Sequence, residues 1–221
     1  MPSKSREEAS TSSRNDILKL IGVLTMTIDH VGYFFLAGNL ELTARLIGRL
    51  AFPLFAYHIA VGYRYTSNLK KYVVRLSGLA IVSQLVYALI FPPQLNIAFT
   101  LLGGLLLIYA YEENIWSGVL LILVLPLVVK VEYSYFGLLL PLVFYRLQGI
   151  KQFIAYLICL TSLLYRVTAS SLLVQSASTL ALPVIWFDWQ RWLPRVRLPK
   201  YFFYVFYPGH LGIIFLITNY F

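Results

Sequence analysis

Nine apolar runs follow one another along 221 residues with little between them, at approximately 17–38, 43–63, 72–91, 96–111, 115–130, 133–147, 151–167, 170–187 and 201–219. A helix needs about 20 mostly apolar residues to cross the hydrocarbon core of a bilayer. The chain can therefore hold about nine such helices only if its connections are short. The breaks between runs carry the turn and helix-stop residues that short connections need: Gly38-Asn39, Ser67-Asn68, Pro92-Pro93, Glu112-Glu113-Asn114, Gln148-Gly149 and the polar stretch from Arg191 to Lys200. The expected fold class is all-α, a polytopic transmembrane helical bundle of about nine spans.

Composition leaves no competing class. Hydrophobic residues make up 59% of the chain and charged residues 12%, far from the balance of a water-soluble globule. There is no room for an extramembrane catalytic domain, so any chemistry is built from the helices and their ends. The net charge of +9 would suggest nucleic acid in a soluble protein. Here the lysines and arginines sit between apolar runs, where they act as a topology signal, and no nucleic-acid partner is expected. A single cysteine, Cys159, excludes an intrachain disulfide and any multi-cysteine metal site, and no metal is expected.

Residues 1–16 are rich in Ser, Lys, Arg and Glu and read as a disordered cytoplasmic tail. They do not resemble a cleavable signal, and residues 17–221 read as one transmembrane helical domain. Every second connection is basic: Arg64, Lys70, Lys71 and Arg75 flank the second, Arg146 and Lys151 the sixth, and Arg191, Arg195, Arg197 and Lys200 the eighth. Cytoplasmic loops carry the excess of Lys and Arg, which places the N-terminus inside.

Ionisable groups within a span cost several kcal/mol unless paired or hydrated, so each is a functional candidate. Asp29 and His30 interrupt the first run, Arg45, Arg49 and His58 lie in the second, and His210 is near the middle of the last. Alternating passage through the membrane brings Asp29 and His30 to the depth of Arg45 and Arg49. Asn96, Thr100, Lys130, Glu132 and Tyr133 fall toward the same, outer side. Asp29 and His30 are sequence neighbours and point about 100° apart on a helix, so each needs a partner elsewhere. Arg45 and Arg49, at i and i+4, share a face, and an Asp29–Arg49 ion pair is the simplest arrangement. A purely architectural pair is an equally good reading of Asp29. Interhelical hydrogen bonding without chemistry is a reading open to both His30 and His210, and it is the preferred one for His58. The aromatic run from Tyr201 to Tyr207 reads as interface and packing.

The runs around these residues carry a resemblance. Met26-Thr27-Ile28-Asp29-His30-Val31-Gly32, Ile47-Gly48-Arg49-Leu50-Ala51-Phe52-Pro53-Leu54-Phe55, Gly62-Tyr63-Arg64-Tyr65-Thr66, Asn96-Ile97-Ala98-Phe99-Thr100 and Phe206-Tyr207-Pro208-Gly209-His210, in that order, resemble the TraX family. Its members are membrane proteins associated with acetylation of the N-terminal amine of conjugative pilin. The resemblance implies transfer of acetyl from acetyl-CoA to an amine acceptor, with a bacterial inner (plasma) membrane location. The family's polar motifs fall on Asp29, His30, Arg49, Asn96, Thr100 and His210. Glu132 matches more loosely, where the family would be expected to carry aspartate.

Transfer from a thioester to an amine needs a base, a donor for the tetrahedral oxyanion and a basic site for the CoA phosphates. His30 is the first choice as general base or transient acetyl acceptor, and His210 the second. Asp29 and Arg49, with Arg45, fix the outer end of the site. Asn96 and Thr100 are candidate donors to the carbonyl oxygen, Glu132 is a candidate substrate contact, and Arg64, Lys70 and Lys71 are candidates for the CoA phosphates. The expected partners are acetyl-CoA, an amine acceptor such as a membrane-presented peptide, and the lipid bilayer. A proton-coupled transporter and a noncatalytic assembly factor for a surface or secretion complex are the competing readings.

Overall fold

The computed structural model describes residues 4–163, 169–189, 192–193, 196–199 and 201–220. Arg191, Arg195 and Lys200 of the basic eighth connection lie outside the described residues. Helices α1 (Lys4–Phe35), α2 (Gly38–Gly48), α3 (Ala51–Tyr65), α4 (Leu69–Ile90), α5 (Ile97–Glu112), α6 (Trp116–Val128), α7 (Ser134–Arg146), α8 (Gly149–Thr161), α9 (Ala169–Ser176), α10 (Ala181–Trp186) and α11 (Phe202–Tyr220) account for most of the described chain. A 3₁₀ turn, Ala177–Leu180, joins α9 to α10. The described residues form no β-strand, only an isolated bridge between Leu95 and Val131.

Among the described residues, four helical segments are long and apolar enough to cross a membrane: Asn15–Phe35, Gly38–Tyr65 across α2 and α3, Leu69–Ile90 and Phe202–Tyr220. At 1.5 Å per residue, the 13-residue helices α6, α7 and α8 reach about 20 Å each, short of a hydrocarbon core of about 30 Å. The expected runs 115–130 and 133–147 are shortened by the turn at Val129–Tyr133, and the run 170–187 is divided among α9, the 3₁₀ turn and α10. α1 begins at Lys4, inside the segment expected to be an unstructured tail.

The expected single run 43–63 is interrupted at Arg49–Leu50, between α2 and α3. Pro53 is the cause that the sequence offers. It has no N–H to give to the carbonyl of Arg49, and its ring would crowd that carbonyl in a continuous helix. The chain makes tighter turns there, with Leu50 N–H bonding to Ile47 O at 3.2 Å.

The helices fall into two compact units, residues 1–55 with 177–203 and residues 56–176 with 204–221. In the first, α1 and α2 cross closely because small residues face each other. A Cβ on Gly32 would come within 2.4 Å of Ala44 Cβ, and one on Gly48 within 2.2 Å of Asp29. In the second, α4 turns Leu76, Leu79, Ala80, Ser83 and Tyr87 inward at helical spacing, and leaves Val74, Ile81, Val82, Leu85 and Leu89 exposed. An apolar outward stripe is what lipid requires and water does not favour. α5 and α7 pack through Gly103 against Leu138, Gly104 against Pro141 and Gly137 against Thr100.

The connections of the second unit gather at two ends. At one, Leu95 N–H bonds to Lys130 O at 2.9 Å and Glu132 N–H to Leu95 O at 3.1 Å, tying the α4–α5 connection to the α6–α7 connection. At the other, the Arg64 guanidinium donates to the Tyr145 carbonyl, and Arg146 pairs with Glu112 at 3.4 Å. Consecutive connections thus alternate between ends, as an up-and-down bundle requires.

Candidate functional site

The first unit holds a charged clamp. Asp29 Oδ2 accepts from Arg45 Nη1 at 2.7 Å and Oδ1 from Arg49 Nη2 at 2.5 Å. Arg49 Nε also donates to Arg45 O at 3.2 Å, so the second guanidinium is held by its own helix as well. Arg45 lies over the Tyr33 ring, 5.0 Å from its centroid. The i, i+4 spacing aims both arginines at one carboxylate, and the missing side chain of Gly48 lets α1 come near enough to deliver it. The expected Asp29–Arg49 pair is present and Arg45 completes it. With both oxygens receiving charge-assisted bonds, the Asp29 carboxylate fixes two cations between the helices. His30 is the next residue of α1 and is half-buried.

The second unit holds the remaining expected residues. Asn96 is fully buried and caps α5: its Oδ1 accepts from Ala98 N–H at 2.9 Å, Nδ2 donates to Ala80 O at 2.9 Å, and its own N–H donates to Gln84 Oε1 at 2.8 Å. Thr100, also fully buried, donates its hydroxyl to Glu132 O at 2.7 Å. The one hydroxyl proton of Thr100 is therefore directed at backbone rather than at a substrate carbonyl. Asn96 and Thr100 tie the start of α5 to α4 and to the Glu132 backbone.

What they hold is a cluster of hydroxyls around one carboxylate. Gln84 Nε2 donates to Gln94 O at 3.0 Å, and Gln94 Nε2 donates to the Tyr87 hydroxyl at 2.7 Å. Tyr87 lies within electrostatic reach of Glu132. Tyr207 is buried within electrostatic reach of Glu132, Tyr87 and Tyr133. Tyr133 and Ser134 both have positive φ, 60° and 48°, a conformation that costs non-glycine residues energy and that the surrounding bonds enforce.

His210 adjoins this cluster. It is buried, one helical turn beyond Tyr207, with ring centroids 5.5 Å apart. Its ring lies parallel to Phe206 at 5.2 Å, and Nδ1 is 3.1 Å from Phe206 O. In the neutral ring that contact puts the proton on Nδ1 and makes Nε2 the basic nitrogen. His58, in α3, packs edge-on to Tyr57 at 5.6 Å. At the opposite end, Arg64 lies over the Tyr145 ring at 5.1 Å while Lys70 and Lys71 are exposed.

Gln84, Tyr87, Gln94 and Tyr207 were not among the residues expected from sequence. Gln84 had a usable signal, a carboxamide inside an otherwise apolar run. Tyr207 had none beyond its aromatic neighbours. Asp16, expected in the tail, is buried, accepting from Lys19 Nζ at 2.9 Å and from Leu198 N–H at 3.3 Å.

Helices of spanning length, an apolar exterior and charged groups held between helices define a polytopic helical membrane protein. The chain belongs to the TraX family, whose model, described as TraX protein, matches residues 14–218. It is 25% identical over 226 residues to the probable fimbrial assembly protein FimC, serogroup H1, of Dichelobacter nodosus, covering 89% of this chain and 92% of that one. It is also 32% identical over 105 residues to the uncharacterized protein RP591 of Rickettsia prowazekii (strain Madrid E), which covers 46% of this chain and 39% of that one. No solved structure matches.

Proposed function

We propose that this chain is a multi-span acetyltransferase of a bacterial inner membrane, moving acetyl from acetyl-CoA to an amine acceptor within the second unit. It crosses the membrane about nine times with its N-terminus in the cytoplasm. The observation that carries the reading is His210, a buried imidazole whose Nδ1 is fixed on the Phe206 carbonyl, which prepares Nε2 to act as a base. His210 takes the proton from the acceptor amine as its nitrogen attacks the thioester carbonyl. The tetrahedral intermediate then expels the CoA thiolate, which recovers the proton. His30 keeps a secondary role beside the Asp29 clamp.

Arg64, Lys70 and Lys71 offer cationic side chains for the CoA phosphates at the end of the second unit where cytoplasmic loops are expected. α11 bridges the depth between that end and the site. It puts Tyr204 within electrostatic reach of Tyr72, in the first turn of α4, and three residues later puts Tyr207 within reach of Tyr87, near the end of α4. Tyr72 and Tyr87 lie on one continuous helix, about 22 Å apart, and an extended thioester arm would have to cover that length.

A second reading, a noncatalytic assembly factor, is favoured by the fimbrial assembly protein among the relatives. The two are separated by equilibrium binding of acetyl-CoA to the detergent-purified chain. Saturable binding that weakens when Arg64, Lys70 and Lys71 are replaced by glutamine supports the enzyme. A folded protein that binds no acetyl-CoA favours the assembly factor.

A further inference from the structure

We infer that the exterior of the second unit, on α4, α6 and α8, is built for a bilayer compressed around it. Its partner is an annulus of phospholipid with a hydrocarbon depth of about 20–24 Å, against about 30 Å for an ordinary membrane. This holds whether or not the chain transfers acetyl.

Separate lengths agree on that depth. α6 and its flanks are apolar from Ile115 to Val129, a rise of about 21 Å between exposed Asn114 and exposed Lys130. α4 has 22 residues, but its exposed apolar stripe runs only from Val74 to Leu89, about 22 Å, and Lys70 and Lys71 are exposed before it. α5, which joins the two ends of the unit, has 16 residues and rises about 24 Å. α8 has 13 residues, about 20 Å, and is exposed at Lys151 near one end and at Thr161 at the other.

Neither end can slide to lengthen the belt. One is closed by the backbone bonds of Leu95 with Lys130 and Glu132, the other by the Arg146–Glu112 pair at 3.4 Å. Trp116, at the start of α6, packs 6.3 Å from Tyr111, and Arg146 lies over the Tyr111 ring at 5.2 Å. Indole, phenol and guanidinium together are the chemistry of a headgroup boundary. A long helix meets a thin membrane by tilting. A short one has no such recourse, because tilt lowers its height further, and the bilayer thins instead.

The shape and chemistry of α6 favour acyl chains over a second protein. Leu120, Leu121, Val124, Leu125, Leu127 and Val128 are exposed over about 160° of its circumference, a broad convex face. Helix–helix contacts in membranes draw on small residues and polar side chains, and the stretch from Leu120 to Val128 has neither.

The test is site-directed spin labelling of the full chain in dioleoylphosphatidylcholine vesicles. In a Cys159→Ala background, Ser117→Cys, Leu121→Cys, Val124→Cys and Val128→Cys each carry one nitroxide, at positions exposed in the fold. Variants that keep the wild-type melting profile are compared by collision with oxygen and with a water-soluble nickel chelate. The depth profile should be symmetric, with labels at 117 and 128 both near the headgroups and those at 121 and 124 deepest. A label at 128 near the bilayer midplane overturns the inference, as does one shallow depth for all four. Labels at 121 and 124 shielded from both collision partners also overturn it, and mark a second copy on α6. Wild type supplies a reading free of any variant: its melting temperature should rise from dierucoyl- through dioleoyl- to dimyristoleoylphosphatidylcholine. A maximum in the longest chain contradicts a thinned annulus.

Discussion

Gly48 lies so close to Asp29 that a Cβ at that position would stand 2.2 Å from the carboxylate oxygen. The charged clamp therefore depends on a residue with no charge. Gly48→Ala should force α1 and α2 apart, lengthen the Arg49 contact and lower stability by about 1–3 kcal/mol, the usual cost of overpacking. Gly78→Ala, in α4 with nothing within 4 Å of the added carbon, is the control. It should be neutral or slightly stabilising, since alanine is the better helix former. Thermal unfolding in detergent reads both.

Asp29→Asn should be more damaging than either, because it leaves two guanidinium groups between helices with no compensating charge. A loss of about 3–5 kcal/mol is expected for breaking one side of a buried pair. Asp29→Asn combined with Arg49→Gln should cost less than the sum of the single changes. Additive losses in that double-mutant cycle would mean that the pair is not coupled.

Two buried hydroxyls in the second unit should behave in opposite ways. Thr100→Val strips the donor from the Glu132 carbonyl and should cost about 1–3 kcal/mol. The Ser83 hydroxyl, fully buried on α4, has no hydrogen-bond partner among the described residues. Ser83→Ala should leave stability unchanged or raised. The same melting assay decides each.

The clamp was legible in the sequence because charged residues inside apolar runs are few, and alternating passage leaves Asp29 little choice but Arg45 and Arg49. The Glu132 cluster was not. Uncharged Gln84, Tyr87 and Tyr207 sit in apolar or aromatic runs where such residues usually pack, and only the fold shows Gln84 bonded into the α4–α5 connection and both tyrosines within electrostatic reach of Glu132. Asn96 and Thr100 stand out in the sequence for their polarity, and the fold adds the backbone partners that they hold. The helix break at Arg49–Leu50 was encoded by Pro53, but a window averaged over 43–63 reads through it.

The two-ended arrangement of the second unit predicts labelling. In a Cys159→Ala background, cysteines at Pro93 and Lys130 should react with a membrane-impermeant maleimide from one side of the membrane, and cysteines at Ser67 and Asn114 from the other. All four positions are exposed and lie in the connections that the fold gathers at opposite ends. Labelling of Pro93 and Ser67 from the same side would contradict the alternation.

The central claim is that His210 is the base of an acetyl transfer, and thiol release from acetyl-CoA by the purified protein tests it most directly. Wild type, His30→Ala and His210→Ala would be compared with a mixed pool of amine acceptors. Acceptor-dependent release by wild type should fall by about 10²–10⁴-fold in His210→Ala, the range for loss of a general base, with acetyl-CoA affinity unchanged. Full activity in His210→Ala, or no acceptor-dependent release by folded wild-type protein that binds acetyl-CoA, would contradict it.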